Sequence, residues 1–100
     1  MIIVVDLDGT LCATDGTDYA TATPIQHRIA RANALYDEGW HVVIDTARGS
    51  GSGEDWTERT EHQLARWDVK YHKLRCGVKF AADVYVDDRA VNVLDWDVSD

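Results

Sequence analysis

The stretch "IIVVDLDGT", residues 2–10, runs apolar residues directly into two carboxylates, Asp6 and Asp8. The apolar part predicts a buried strand, and Gly9 with Thr10 predicts a turn at its end. Two acids at the mouth of a buried strand repel each other, and each loses part of its hydration. We therefore expect a positive group to lie between them.

Two other apolar runs also end in polar residues: "WHVVIDT" at 40–46 and "VYVDD" at 84–88. Apolar runs without alternation are typical of parallel strands whose sheet is covered on both faces. A further candidate strand, "VKYHKL", occupies 69–74. Together these runs predict a parallel sheet.

Helical patterns separate the predicted strands. The segment 23–39 carries an apolar stripe, and Thr23 and Pro24 are expected to begin its helix as the N-cap and the first helical residue. A second helix is predicted over about 56–67, and a short one over 89–96. Strands that alternate with helices predict the α/β class, here as a minimal three-layer, Rossmann-like parallel sheet.

The composition indicates a single domain, residues 1–100, with 45% hydrophobic residues available for a core. Eighteen acids against ten bases give a net charge of −8, which argues against general affinity for nucleic acid or anionic membranes. We expect neither a signal peptide nor a membrane-spanning helix. Cys12 and Cys76 form no CxxC pair, so we expect a reduced, cytoplasmic chain, with a single disulfide as the alternative and Cys12 as a small core residue.

Polar residues gather at the ends of the predicted strands. In a parallel sheet the carboxyl ends of the strands meet at one edge, where ligand sites form. The residues predicted to meet there are Asp6, Asp8, Thr46, Asp87 and Asp88. Carboxylates without a nearby cluster of His or Cys favour Mg²⁺ over zinc, and Mg²⁺ commonly takes a phosphate oxygen as a further ligand. The sequence therefore predicts a magnesium site for a phosphate-bearing substrate.

The same residues suit phosphoryl transfer. Asp6 is the candidate nucleophile towards phosphorus, and Asp8 lies on the same side of the extended chain and can handle the leaving-group proton. Thr46 offers a hydroxyl and a neighbouring amide to a phosphoryl oxygen, and Lys79 can neutralise charge in the transition state. Taken singly, each of these residues has the alternative role of a turn, cap or surface residue.

Taken together, the motifs resemble those of the haloacid-dehalogenase (HAD) superfamily phosphatases. "DLDGT" at 6–10 is similar to their DxDGT signature, and Thr46 is similar to their second motif. Lys79 resembles their third motif and "DDRAVN" at 87–92 their acidic fourth, all in the family's order. The resemblance implies a HAD-like fold and phosphatase activity.

The resemblance also implies roles for individual residues. Asp6 would form a phosphoaspartyl intermediate, and Asp8 would act as the acid/base. Mg²⁺ would be held by Asp6, the carbonyl of Asp8 and one acid of the next pair, and we favour Asp88 as direct ligand and Asp87 as water-mediated. The candidate substrate-binding residues are Thr10, Arg48 and Gly49. A contact with a helix end is the alternative role for Arg48.

Two features bear on the type of family member. The sequence has no room for a cap domain between 11 and 23, where a loop is expected over 12–23, or between the third and fourth predicted strands, so the resemblance is to a capless form. Asp45 is an unexpected charge on an apolar strand and faces either the site or the solvent. The bacterial receiver domain also gathers Asp, Thr and Lys around Mg²⁺, but here Asp6 precedes Thr46 and Lys79, which is not the receiver order.

The substrate class stays open between two subfamilies. Residues 42–67 resemble short HAD proteins labelled capsule or polysaccharide biosynthesis phosphatases, which implies a small sugar phosphate or related metabolite. The pattern of Thr46, Arg48, Ser50 and Gly51, with "DDR" at 87–89, also resembles the phosphatase domain of phage polynucleotide kinase, which implies a nucleic-acid 3′-phosphate. The weak basic cluster that would receive a nucleic-acid backbone is Arg66, Lys70, Lys73, Arg75 and Lys79. A binding or regulatory module without turnover is the third alternative.

The four tryptophans are numerous for so small a core. We expect a homo-oligomer whose interface borders 12–23 or 49–60, where a neighbouring subunit would act as a lid. Burial of all four rings within one chain is the alternative.

Overall fold

The computed structural model describes residues 1–77, 79, 82–84 and 86–98. In chain order the elements are β1 (Ile2–Asp6), β2 (Cys12–Asp15), β3 (Asp18–Pro24), α1 (Gln26–Asp37), β4 (His41–Thr46), α2 (Thr57–Arg66), β5 (Lys73–Cys76) and α3 (Val93–Val98). Strands β1, β4 and β5 form a parallel sheet in that order, and β2 and β3 form a separate antiparallel pair. The predicted α/β class is confirmed.

The ends of the parallel strands are in register. Asp6 at the end of β1 pairs with Asp45 of β4, and Thr46 at the end of β4 pairs with Cys76 of β5. Because these pairs lie side by side, the residues that follow β1 and β4 emerge at one edge of the sheet, as the sequence predicts.

One hydrophobic core joins the sheet to the helices. Its cluster includes Val5 of β1, Ile29 of α1, Ile44 of β4 and Leu64 of α2. Each such side chain contributes roughly 1.5–3 kcal/mol by leaving water. Trp96 of α3 packs against the same cluster.

Coverage of the sheet differs between its strands. In β4, the central strand, Val42, Val43 and Ile44 are all buried, as predicted for a strand covered on both faces. In β1, however, Ile2 and Val4 are 68% and 54% exposed. Among residues 1–77, 79, 82–84 and 86–98, no layer covers that face of β1, so the three-layer arrangement is not seen there.

The third strand of the sheet comes from a different segment than 84–88. It is β5, which overlaps the further candidate strand at 69–74. The described residues of 84–88 are not in a strand, and Tyr85 lies outside the described residues. Val84 and Val86 are 75% and 96% exposed, so burial does not stabilise this run.

The expected loop at 12–23 is a β-hairpin. Cys12 pairs with Pro24 and Asp15 with Asp18, and Gly16 in the connecting turn has φ +57°. Thr23 and Pro24 therefore end β3 instead of starting a helix, and α1 begins at Gln26 without a side-chain cap. Strand pairing with β2 therefore takes the place of the helix start that the sequence predicts at Thr23 and Pro24.

The helix predicted over 56–67 is confirmed as α2. The Asp55 carboxylate accepts a hydrogen bond from the Thr57 N–H at 2.9 Å, which satisfies one free donor of the first turn. Thr60, Gln63 and Leu64 form its buried face. The short terminal helix lies at 93–98 instead of 89–96. Within the described ranges, no helix combines the length and the apolar character needed to cross a bilayer.

Candidate active site at the carboxyl edge of the sheet

A tight turn after β1 sets the positions of the two first acids. The fully buried Leu7 lies between them and its carbonyl accepts N–H groups from Thr10 (3.2 Å), Leu11 (2.9 Å) and Cys12 (3.2 Å). Gly9 has φ +88°, a conformation that side chains disfavour. Because Leu7 points into the core, Asp6 and Asp8 project to the other side of the chain.

Asp8 is held from several directions. Arg48 donates from Nε to its Oδ2 at 3.0 Å and from a terminal nitrogen to its Oδ1 at 2.8 Å. The Thr14 hydroxyl donates to Oδ1 at 2.5 Å and the Thr46 hydroxyl to Oδ2 at 3.1 Å. Burial alone would raise the pKa of Asp8, but the hydrogen bonds from Arg48 and Thr14 and the guanidinium charge lower it below 3.8. Asp8 is therefore fixed as a carboxylate.

Arg48 is itself buried, with 1% of its side chain exposed. Its other terminal nitrogen donates to the Gln63 Oε1 at 2.6 Å and to the Thr60 Oγ1 at 3.2 Å, both on α2. The Tyr19 ring lies 4.8 Å from the guanidinium carbon. Arg48, predicted to bind substrate, is thus directed at Asp8 and α2.

Asp6 lies in a more open position. The Lys79 ammonium is 2.9 Å from its Oδ1, and the two side chains are 25% and 36% exposed respectively. Burial raises the pKa of Asp6, and the nearby Asp8 charge adds to this, whereas Lys79 lowers it; the net shift is upward. The positive group expected between the acids is therefore two groups, Lys79 beside Asp6 and Arg48 beside Asp8.

Cys12 belongs to this site as a neutral group. Its thiol lies 3.5 Å from the Asp8 Oδ1, and burial raises its pKa to about 11. It is therefore not a thiolate nucleophile at neutral pH. Cys76 is also free, so the two cysteines form no disulfide.

The structure brings together two of the four predicted magnesium ligands. Asp6 and Asp8 interact, whereas Asp87 and Asp88 are exposed and the Asp87 carboxylate accepts the Arg89 N–H at 2.8 Å. In the part of the chain that the structure describes, no three His, Cys, Asp or Glu side chains converge on a metal position. One or two carboxylates with waters and a substrate phosphate suffice for Mg²⁺, so the donors at Asp6 and Asp8 fit this ion.

The other predicted site residues, Thr46, Thr10 and Gly49, lie at the end of β4 or in the turns after β1 and β4. Thr46 is 1% exposed and also accepts the Arg48 N–H at 3.2 Å, while the carbonyl of the half-buried Thr10 accepts a hydrogen bond from Arg28 at 3.4 Å. Gly49 has φ +86°, and a Cβ there would collide with the Glu54 carbonyl oxygen. Gly49 is thus required by the turn after β4.

Asp45, the unexpected charge on β4, is paired with a residue of the neighbouring strand. Its carboxylate accepts two hydrogen bonds of 2.6 Å from Arg75 on the neighbouring strand β5. Asp45 is therefore a cross-strand ion-pair partner at the sheet surface.

Sequence reasoning missed three residues that support the site: Thr14, Tyr19 and Gln63. The first two lie on the β2–β3 hairpin, which Asp15–Gly16 signals as a common turn dipeptide. No sequence pattern indicates Gln63, because nothing local distinguishes a glutamine that becomes buried from one that stays on the surface. It donates to the Tyr19 carbonyl at 2.6 Å while accepting from Arg48.

The fold of this chain is similar to that of a protein of known structure. A crystal structure of an MCSG target from Vibrio cholerae has a TM-score of 0.86 and 26% sequence identity, and the alignment covers 99% of this chain and 89% of that chain. Its name states no activity, so the similarity supports the α/β fold. No family model and no curated protein sequence matches the chain.

Proposed function

We propose that this protein is a Mg²⁺-dependent phosphomonoester hydrolase with a minimal, capless HAD-like fold. The observation that carries the proposal is the contrast within one acid pair: a half-exposed Asp6 beside Lys79, and an Asp8 that Arg48 holds charged. A reactive carboxylate and a second, oriented carboxylate two residues away are what phosphoryl transfer through an aspartyl intermediate requires.

In the first step, a carboxylate oxygen of Asp6 attacks phosphorus and the bond from phosphorus to the ester oxygen breaks. The electron pair leaves with that oxygen, which takes up a proton from the Asp8 carboxyl group and departs as an alcohol, leaving Asp8 as a carboxylate. Lys79, 2.9 Å from Asp6, is placed to neutralise charge on the phosphoryl oxygens.

In the second step, water attacks the phosphorus of the acyl phosphate and releases inorganic phosphate and free Asp6. Asp8 takes the proton of that water, because its lowered pKa keeps it as a carboxylate. The same low pKa disfavours Asp8 as a donor in the first step, so proton donation requires the Arg48 and Thr14 contacts to weaken.

Magnesium would be held by the Asp6 carboxylate and the Asp8 carbonyl, with Asp88 as the proposed third protein ligand and Asp87 acting through water. When bound, the ion neutralises charge on the phosphate and on the acid pair. The pKa of Asp6 is raised mainly by burial and to a smaller extent by the nearby Asp8 charge, and a cation at this position would offset both effects.

For the substrate we propose a small sugar phosphate or related metabolite. Most of the basic cluster that would receive a nucleic-acid backbone is already paired: Lys70 with Asp37, Arg75 with Asp45, and Lys79 with Asp6. Thr10 and Gly49, in the turns after β1 and β4, are the proposed contacts to the substrate.

A groove along α2 favours a second candidate function, hydrolysis of a nucleotide or nucleic-acid 3′-phosphate. Its lining residues are Ala20, Trp56, Arg59, His62, Gln63 and Arg66. The Arg59 guanidinium lies 3.5 Å from the centre of the Trp56 ring. An aromatic ring with cations around it suits a base that carries phosphate.

The proposed lid from a neighbouring subunit has less support than the chemistry. All four tryptophans are partly buried, and Trp67 and Trp96 pack against the core. Trp56 packs edge-on against Tyr19 at 5.1 Å between ring centres. A homo-oligomer stays a prediction, and so does the cytoplasmic location that the two free cysteines favour.

The deciding experiment is hydrolysis of p-nitrophenyl phosphate with Mg²⁺, with EDTA, and with EDTA followed by excess Mg²⁺. We expect activity, loss and recovery in that order, and a weaker response to Mg²⁺ in Asp88→Asn than in Asp87→Asn. A screen of sugar phosphates, nucleotides and 3′-phosphorylated oligonucleotides then separates the two substrate classes. Full activity in EDTA contradicts the metal-dependent mechanism, and no activity on any ester favours the non-catalytic binding module.

A further inference from the structure

The buried side chain of Arg48 connects the turn after β1, which carries Asp8, to helix α2. On one side the guanidinium donates to both oxygens of Asp8, at 2.8 and 3.0 Å. On the other side it donates to Gln63 and Thr60, which lie on the buried face of α2. With 1% exposure, this side chain has no open path to a substrate in the described structure.

The geometry leaves Arg48 little freedom. A guanidinium is planar, so holding one edge with two α2 acceptors fixes the direction of the edge that faces Asp8. Gln63 is held in turn, since its amide donates to the Tyr19 carbonyl at 2.6 Å on the β2–β3 hairpin. The hairpin also supplies Thr14, whose hydroxyl donates directly to Asp8.

We infer that Arg48 is a positioning residue for phosphoryl transfer, and that Gln63 and Thr60 of α2 set the orientation of the Asp8 carboxylate through it. This inference rests on the proposed phosphatase function. It assigns α2 a part in the chemistry although α2 carries none of the predicted catalytic residues, and it replaces a direct substrate contact by Arg48.

A misoriented acid/base group slows the reaction without weakening the binding of substrate. Supporting contacts of this kind typically change activity by about 10–100-fold when removed. A direct phosphate contact, in contrast, is used in the bound ground state as well, so its loss raises KM and weakens inhibition by inorganic phosphate.

The test measures kcat, KM and the inhibition constant of inorganic phosphate with p-nitrophenyl phosphate and Mg²⁺, alongside thermal melting. Gln63→Met removes the acceptor of Arg48 and leaves the Arg48–Asp8 pair in place, and we expect kcat to fall about 10-fold with KM and phosphate inhibition within about 2-fold. Arg48→Lys keeps the positive charge but loses the planar guanidinium that bonds Asp8 and α2 at the same time. We expect it to lower kcat further, by up to about 100-fold.

Two substitutions of Thr60 test the same contact with small changes of side-chain size. Thr60→Val removes the hydroxyl, with an expected loss of about 3-fold in kcat, whereas Thr60→Ser keeps it and restores the rate. Glu61→Met, an exposed substitution on the same helix, is the control and leaves kcat unchanged.

The kinetic results distinguish the positioning role of Arg48 from a structural role and from a direct substrate contact. Unchanged kcat in Gln63→Met and Arg48→Lys, with lowered melting temperatures only, reduces Arg48 to a structural residue and overturns the inference. Raised KM with preserved kcat overturns it in favour of a direct substrate contact. Both outcomes leave the phosphatase intact, whereas a wild-type protein without Mg²⁺-dependent hydrolysis removes the proposed function and the inference with it.

Discussion

The Asp6 half of the site is open and, among the described residues, pairs with Lys79, whereas the Asp8 half is closed by a buried arginine and two hydroxyl groups. Lys79 contacts Asp6 at 2.9 Å with 25% of its side chain exposed, while Arg48 contacts Asp8 at 2.8 Å with 1% exposed. The pKa of Asp6 is raised, mainly by burial, and that of Asp8 is lowered by its donors despite burial. A single residue, Leu7, separates a carboxylate whose charge burial destabilises from one whose charge the surrounding donors stabilise.

A single turn can therefore give two neighbouring carboxylates different properties, one suited to a nucleophile and one to a proton-transferring group. A nucleophile needs an accessible, weakly engaged oxygen, since every hydrogen bond to it lowers its reactivity. An orienting or proton-transferring group needs a fixed direction instead.

The largest expected effect is on catalysis at the open half. Asp6→Asn keeps the shape of the side chain but replaces the nucleophilic oxygen by a poor one. We expect the rate to fall by roughly 10³-fold or more, since loss of a nucleophile costs up to about 10⁶-fold in other hydrolases. Steady-state hydrolysis, with circular dichroism as the control for folding, is the measurement. Retention of more than a few per cent of the activity removes Asp6 from this role.

The next effect is on stability at the closed half. Asp8→Asn leaves the buried Arg48 without an opposite charge, which in fully buried pairs costs about 3–5 kcal/mol. Because Asp8 is 24% exposed and asparagine still accepts a hydrogen bond, we expect about 2 kcal/mol at pH 7. Urea unfolding measures this loss. Asp37→Asn, which breaks the exposed pair with Lys70, is the control and is expected to change stability little.

The pH dependence of that loss follows from the direction of the shift. The folded pKa of Asp8 lies below its unfolded value, so its stabilisation is present above pH 3.8 and is lost as pH falls through the folded pKa. The difference between wild type and Asp8→Asn should therefore shrink in acid. A difference that stays constant down to pH 2 contradicts the ion-pair explanation.

A smaller effect is expected at the hairpin. Thr14→Val removes one hydrogen bond to Asp8 at nearly constant volume, and we expect a loss of about 1 kcal/mol. Thr21→Val is a matched control on the same hairpin, because its hydroxyl donates only to the exposed Asp18 carbonyl at 3.4 Å. Equal unfolding free energies for the two variants would show that the hairpin does not hold Asp8.

The smallest effect runs in the opposite direction, at Asp6. A raised folded pKa means that Asp6 contributes stability at low pH and that this contribution is lost as pH rises through the folded pKa. In the absence of metal, Asp6→Asn should therefore raise the melting temperature slightly at pH 7 and leave it unchanged near pH 3. A loss at pH 7 would mean that the pair with Lys79 outweighs desolvation and repulsion.

Local patterns predicted the elements whose signals are strong within a few residues. The apolar runs at 2–6 and 40–46 are strands because their backbones pair side by side. The segment 56–67 is a helix because it has a buried face and because Asp55 accepts an N–H group of its first turn. The hairpin was missed because its strands are rich in Thr and Ala and lack an apolar alternation. The run at 84–88 has the composition of a strand, but composition does not supply a neighbour for its backbone.

The α/β class and the position of Asp6, Asp8 and Thr46 at one edge of the sheet follow from local sequence patterns, because the carboxyl ends of parallel strands lie together and residues near in sequence stay near in space. Which cation pairs with which acid depends on the packing of distant segments. Arg48 contacts Gln63 and Thr60, and Tyr19 contacts Arg48 and Gln63. These contacts join a loop, a helix and a hairpin. Such contacts depend on how elements pack, and burial of a charge depends on all its neighbours at once, so no local pattern encodes them.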